Sequence, residues 1–204
     1  MTDITEEIYS KGYHIIDNFL DSSSFAKLRA RAEQIHSKGY FKDAKIGNLS
    51  SKNQQPAIRN DRIFWLDEQT DDEAQTLYFQ KIRALAKSLN QSLFLGLIDF
   101  ESHFSIYNPG SFYKMHVDQF KTAQDRKISC VYYLNQNWQE SFAGHLKLYN
   151  KDKELLAKVL PEANRFICFN SELPHEVCTT FATRYSIAGW MKTRSEHSFS
   201  YFNI

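Results

Sequence analysis

Apolar positions fall in two different rhythms along this chain. In the first hundred residues, Tyr13–Leu20 reads as a short strand that runs into Asp21-Ser22, a pair suited to capping a helix. Phe25, Leu28, Ala32 and Ile35 then recur at helical spacing, with Gly39 as a natural stop. The stretch from Asp43 to Gln55 is polar, carries Gly47, Asn48 and the run Ser50-Ser51-Lys52, and reads as a loop. Arg62–Leu66 reads as a strand. From Asp71 to Leu95, the leucines and isoleucine at 77, 82, 85, 89 and 93 mark an amphipathic helix that Gly96 should end.

From Leu97 onward the period becomes two. Strands are predicted over Leu97–Tyr107, Met115–Asp118, Lys127–Leu134, His145–Tyr149, Arg165–Asn170, His175–Thr179 and Thr183–Lys192. Many short strands behind a helical portion imply an α+β, mainly β fold, a β-sandwich or jelly roll with supporting N-terminal helices on one side. The expected organisation is one domain over 1–204. It divides into helical support, loop and first strands (1–96), a jelly-roll core (97–192) and a C-terminal tail (193–204).

The chemistry lies in the second half. On a strand, His116 and Asp118 point to the same face while Val117 points away, so both can reach one metal. His175 stands 57 residues beyond Asp118, and Arg184 nine beyond His175. Two imidazoles and one carboxylate on one side of a metal leave the opposite positions open, the pattern of non-haem Fe(II) oxygenases. Arg184 would share its strand face with Ser186 and Ala188 and supply a cation for an acidic co-substrate.

Composition narrows the alternatives. Aromatic residues make up 15% of the chain, enough for a well-filled core, and seven glycines and four prolines argue against long linkers. The net charge of +1 gives no bias toward nucleic acid or membrane. Cys130, Cys168 and Cys178 lack metal spacing and read as packing thiols of a reducing compartment. Met1–Ser10 is polar and acidic rather than signal-like, and no apolar run approaches a bilayer span, so a cytoplasmic location is expected. The other histidines, at 14, 36, 103, 145 and 197, have no partner pattern and read as structural or surface groups.

From Arg59 to Trp190 the chain resembles the 2-oxoglutarate- and Fe(II)-dependent prolyl hydroxylases, in particular the branch of the hypoxia-inducible-factor prolyl hydroxylases and their bacterial relatives. The matching runs, in order, are Ile58-Arg59-Asn60-Asp61-Arg62-Ile63-Phe64-Trp65, Tyr107-Asn108-Pro109-Gly110, Tyr113-Lys114-Met115-His116-Val117-Asp118, Cys130-Val131-Tyr132-Tyr133-Leu134-Asn135, Pro174-His175-Glu176-Val177 and Ala182-Thr183-Arg184-Tyr185-Ser186-Ile187. Three positions depart from the family: Asn60 and Ala143 where glycine is common, and Ala188 where some relatives carry Thr.

The resemblance implies a double-stranded β-helix, with Fe(II) held by His116, Asp118 and His175. It also implies 2-oxoglutarate and dioxygen as co-substrates, ascorbate as accessory reductant, and succinate and CO2 as products. Arg184, Tyr133 and Tyr107 would line the co-substrate pocket. Arg59, Asp61 and Arg126 are candidates for peptide contact or for tethering the polar loop, itself a candidate lid over substrate. The expected substrate is a prolyl residue in a protein or peptide, a translation factor such as elongation factor Tu if the source is bacterial. Hydroxylation of a free amino acid or other small molecule stays open, as does a non-catalytic 2-oxoglutarate or oxygen sensor. A nucleic-acid demethylase gains no support from the balanced charge, and a zinc hydrolase would want a general base beside the ligands.

Overall fold

The computed structural model describes residues 3–44, 57–119 and 124–194. The chain order is α1 (Ile4–Lys11), β1 (Tyr13–Ile16), α2 (Ser22–Ser37), β2 (Lys42–Asp43), β3 (Arg62–Trp65), α3 (Glu73–Leu93) and β4 (Asp99–Tyr107). It continues with β5 (Tyr113–His116), β6 (Arg126–Tyr133), β7 (Leu146–Tyr149), β8 (Leu155–Val159), β9 (Phe166–Asn170), β10 (His175–Val177) and β11 (Arg184–Lys192).

The helices begin on aspartates. Asp21 accepts from the Ser23 and Ser24 amides at the start of α2, and Asp72 from the Gln75 amide at the start of α3. α3 stops earlier than its sequence suggests. Phe94 takes a left-handed conformation, and the Asn90 side chain bonds both the amide and the carbonyl of Leu97, turning the chain before Gly96 acts. Three elements were not anticipated, α1, β8 and the two-residue β2. α1 is a short helix capped by Asp3 with few buried residues, and β8 is an outer strand of mostly exposed positions, so neither shows a strong apolar period.

All strand pairs are antiparallel. Seven strands form one sheet in the order β1-β9-β6-β11-β4-β3-β2, and four form the other, β5-β10-β7-β8. The helices pack on the outer face of the larger sheet over Leu28, Tyr78, Ile82, Leu89, Phe104 and Phe166. A smaller apolar layer lies between the sheets: Tyr107, Tyr133, Leu146, Leu148, Ile167, Phe169 and Val177. This is the expected α+β jelly roll with helical support. No described helix is long and apolar enough to cross a membrane. The polar loop anticipated over Asp43 to Gln55 lies almost wholly outside the described residues; its first residue, Asp43, and the preceding Lys42 pair with Arg62 and Ile63 as a short strand.

Candidate metal centre and anion pocket

The site sits between the sheets, where β5 and β10 of the smaller sheet face β6, β11 and β4 of the larger. His175 and His116 are direct cross-strand partners, with ring centroids 4.2 Å apart. β5 ends at His116, so Asp118 lies just past the strand rather than on it, a correction to the expected span. Its amide and that of Gln119 both donate to the Ser171 carbonyl at 3.2 Å, which turns the chain and returns the carboxylate to the histidines. Asp118 Oδ1 is 3.6 Å from His116 Nε2 and Oδ2 is 3.4 Å from His175 Nε2. One candidate ligand atom from each residue lies within 4.8 Å of the others.

The tautomers follow from the surroundings. His116 Nδ1 lies 2.8 Å from the Lys114 carbonyl and His175 Nδ1 2.9 Å from the Leu173 carbonyl. A carbonyl only accepts, so each Nδ1 carries the proton and each Nε2 turns a lone pair toward the cluster, the arrangement usual for metal-bound imidazoles. Ser129 on β6 donates to Asp118 Oδ2 at 2.7 Å and lies 2.9 Å from the Ser171 hydroxyl. Ser129 therefore fixes the carboxylate from its Oδ2 side.

Burial alone would raise the Asp118 pKa, but the His175 and His116 imidazoles and the Ser129 hydrogen bond outweigh it and bring it to about 2. Burial, reinforced by His175, depresses His116 to about 3, so this imidazole is neutral and able to ligate.

Arg184, at the start of β11, is 1% exposed. Its guanidinium donates to Ser186 Oγ at 3.1 Å and lies over the rings of Tyr107 (4.9 Å) and Tyr133 (5.0 Å). Among the described residues, Arg184 Nε and the Tyr133 hydroxyl have no hydrogen-bond partner. A fully buried guanidinium beside an orphaned phenol is costly unless an anion completes the site. Burial raises the Tyr133 pKa, which keeps the phenol protonated as a donor.

The remaining candidates are held in ion pairs. Arg59 and Asp61 form a two-point ion pair at 2.7 and 2.6 Å, with Asp61 wholly buried. Arg126 donates to Glu101 at 2.6 Å and lies 3.8 Å over the Trp190 ring. Both arginines line the same cleft as the metal cluster and Arg184. Ser129 escaped the sequence reading, although it shares a strand face with Tyr133; Ser186 was placed there on the face of Arg184 but given no role. Tyr113 was invisible for a different reason. Three residues from His116, it should point to the opposite face, yet the rings stack at 3.5 Å and 14°.

Fold and donor set together define a non-haem iron oxygenase of jelly-roll architecture. Residues 102–192 match the family model of the 2OG-Fe(II) oxygenase superfamily. The chain is 33% identical to the crystal structure of a Pseudomonas putida prolyl-4-hydroxylase, with a TM-score of 0.84 over 94% of this chain and 97% of that one. A Trichoplax adhaerens prolyl hydroxylase, solved with a hypoxia-inducible-factor peptide fragment, is 26% identical with a TM-score of 0.83, over 93% and 87%. Human prolyl hydroxylase EGLN3 is 27% identical over 90% of this chain and 79% of its own length. Human Egl nine homolog 1 is 27% identical over 88% of this chain, which spans 43% of that protein. The chain belongs to the 2OG-Fe(II) oxygenase superfamily and is related to the hypoxia-inducible-factor and bacterial prolyl hydroxylases.

Proposed function

We propose that the protein hydroxylates a prolyl residue in a protein or peptide, consuming 2-oxoglutarate and dioxygen and releasing succinate and CO2. The observation that carries this reading is the His116, Asp118, His175 cluster in one cleft with a buried guanidinium whose Nε has no hydrogen-bond partner among the described residues. The donor set fits Fe(II), with two imidazoles and one carboxylate on one side. The pocket fits a dicarboxylic keto acid, whose far carboxylate would take donors from Arg184 and the Tyr133 hydroxyl. With iron and 2-oxoglutarate held there, dioxygen would be the oxidant, one oxygen atom going to succinate as CO2 leaves and the other to the C–H bond.

The chain's own residues bind, orient and shield. The Lys114 and Leu173 carbonyls fix the imidazole planes, and Ser129 fixes the carboxylate. Tyr107, Tyr133 and Phe169 wall the pocket against water. Trp190, overlaid by Arg126, and the half-exposed Trp65 also line the cleft and would suit an extended peptide bearing an apolar ring. Kinship with prolyl hydroxylases at 33% identity favours proline over a free amino acid. By the same kinship ascorbate would serve as accessory reductant.

The test is incubation of the Fe(II)-loaded protein with 2-oxoglutarate and a library of proline-containing peptides, read by mass spectrometry. Gain of one oxygen on proline, stoichiometric with succinate, is expected. Oxygen gain only on free amino acids would support the small-molecule alternative. Succinate without any oxidised product would contradict both.

A further inference from the structure

The two histidines of the cluster are held very differently. His175 lies on β10, an inner strand between β5 and β7, with Phe169 edge-on to its ring at 4.8 Å. His116 is the last residue of β5, a four-residue edge strand. An edge strand has a ladder on one side only and frays readily. A ligand placed there needs support from outside the sheet.

The structure supplies it in three layers. Between β10 and β5 the register slips: His175 faces His116, but Val177 faces Tyr113. β5 therefore carries an extra residue, and this bulge turns Tyr113 onto the face of His116. The phenol ring lies flat on the imidazole at 3.5 Å and 14°. On the other side of that ring sits the Arg59 guanidinium, 4.3 Å from its centre. Arg59 is in turn held by both carboxylate oxygens of the fully buried Asp61.

The backbone joins the same contact. Arg59 bridges Tyr113, the Lys114 amide donates to the Ile58 carbonyl at 2.9 Å, and the Asn60 side chain accepts from the Phe112 amide at 2.8 Å. The Asn60 side chain thus adds a clamp of its own to the strand edge.

We propose that Asp61, Arg59 and Tyr113 are positioning residues that brace the His116 imidazole for metal binding. Arg59 and Asp61, expected from sequence to touch peptide or lid, act here through Tyr113 on the ligand plane. The inference rests on His116 being a metal ligand, and it is independent of which substrate is hydroxylated.

Cobalt(II), whose visible absorption reports ligand geometry, is the probe, titrated into the intact protein alongside thermal unfolding of the metal-free form. Tyr113→Phe keeps the stacked ring and should bind within about threefold of the parent with an unchanged spectrum. Tyr113→Leu should bind roughly tenfold or more weakly, in the range typical of lost outer-shell support, with an altered spectrum. Arg59→Met alone strands a buried carboxylate and should unfold early. The double variant Arg59→Met/Asp61→Leu removes that charge as well, restoring Tm while leaving cobalt affinity about tenfold low. Parent-like affinity and spectrum in both Tyr113→Leu and the double variant would overturn the brace. Failure of the parent to bind cobalt at all would instead overturn the metal reading beneath it.

Discussion

At the scale of single residues, two buried groups control measurable properties. Arg184 has no anion of its own among its described contacts, so its value lies in what it binds. Arg184→Ala should raise the 2-oxoglutarate requirement by about 100-fold, the scale of a lost buried charge-assisted contact. Iron affinity should change little. Calorimetry with each ligand separates the two, and a fall in iron affinity alone would show the role to be wrong. His103 lies on the inner face of β4 against Trp65 and Trp190. Burial, with the nearby Arg59 charge, brings its pKa down to about 4 from an ordinary 6.5. In the window between those values the unfolded imidazole takes a proton that the folded one refuses, so stability falls as pH drops through it. The loss approaches ~3 kcal/mol near the acid end. Denaturant unfolding against pH should show this slope in the parent and a flatter one in His103→Phe. Identical slopes would exclude His103 as the cause.

At the scale of elements, caps and turns carry the testable weight. Asp21 accepts from two amides and a hydroxyl at the head of α2, the helix that packs its Phe25, Leu28, Ala32 and Ile35 stripe onto the larger sheet. Asp21→Ala should cost about 1 kcal/mol and lower Tm by roughly 2–4 °C for a chain of this size. No change in Tm would show that packing alone sets this helix end. Ala143 sits at φ 51° and ψ −128°, a conformation that favours glycine, held by the Trp138 indole on its carbonyl and by pairing with Thr180. Ala143→Gly should therefore raise Tm by ~2–4 °C, about 1 kcal/mol of released strain. A lower Tm would mean that the chain tolerates the angle without cost.

The same elements show what period can and cannot reveal. Strands β4, β6, β9 and β11 were legible because they are buried over most of their length and are rich in apolar and aromatic residues. β8, mostly exposed, had no contrast to read. Arg184 and Tyr133 were placed by alternation and family likeness, and the structure brings them together around one pocket. Tyr113 was lost because a bulge breaks the two-residue rhythm at the point where the site needs it broken. Asp118 reaches the metal cluster by a turn tied to Ser171, a contact from a distant segment that no local spacing encodes.

On the scale of the whole molecule, two sheets and a helical back plate hold a rigid half and a supported half. The larger sheet carries the anion pocket on its inner face and is buttressed by helices behind. The smaller sheet carries both histidines and depends on the Arg59 segment at its β5 edge. On the proposed reading metal and co-substrate would bind where the halves meet, so ligands should stabilise the fold by mass action. Fe(II) and 2-oxoglutarate together should raise Tm more than either alone.

The most direct test of the central claim is an anaerobic calorimetric titration of 2-oxoglutarate into the protein with and without Fe(II). One equivalent should bind tightly only when iron is present, Asp118→Ala should abolish that binding, and Arg184→Ala should weaken it while iron stays bound. Binding that ignores the iron, or that survives both substitutions unchanged, would contradict the account.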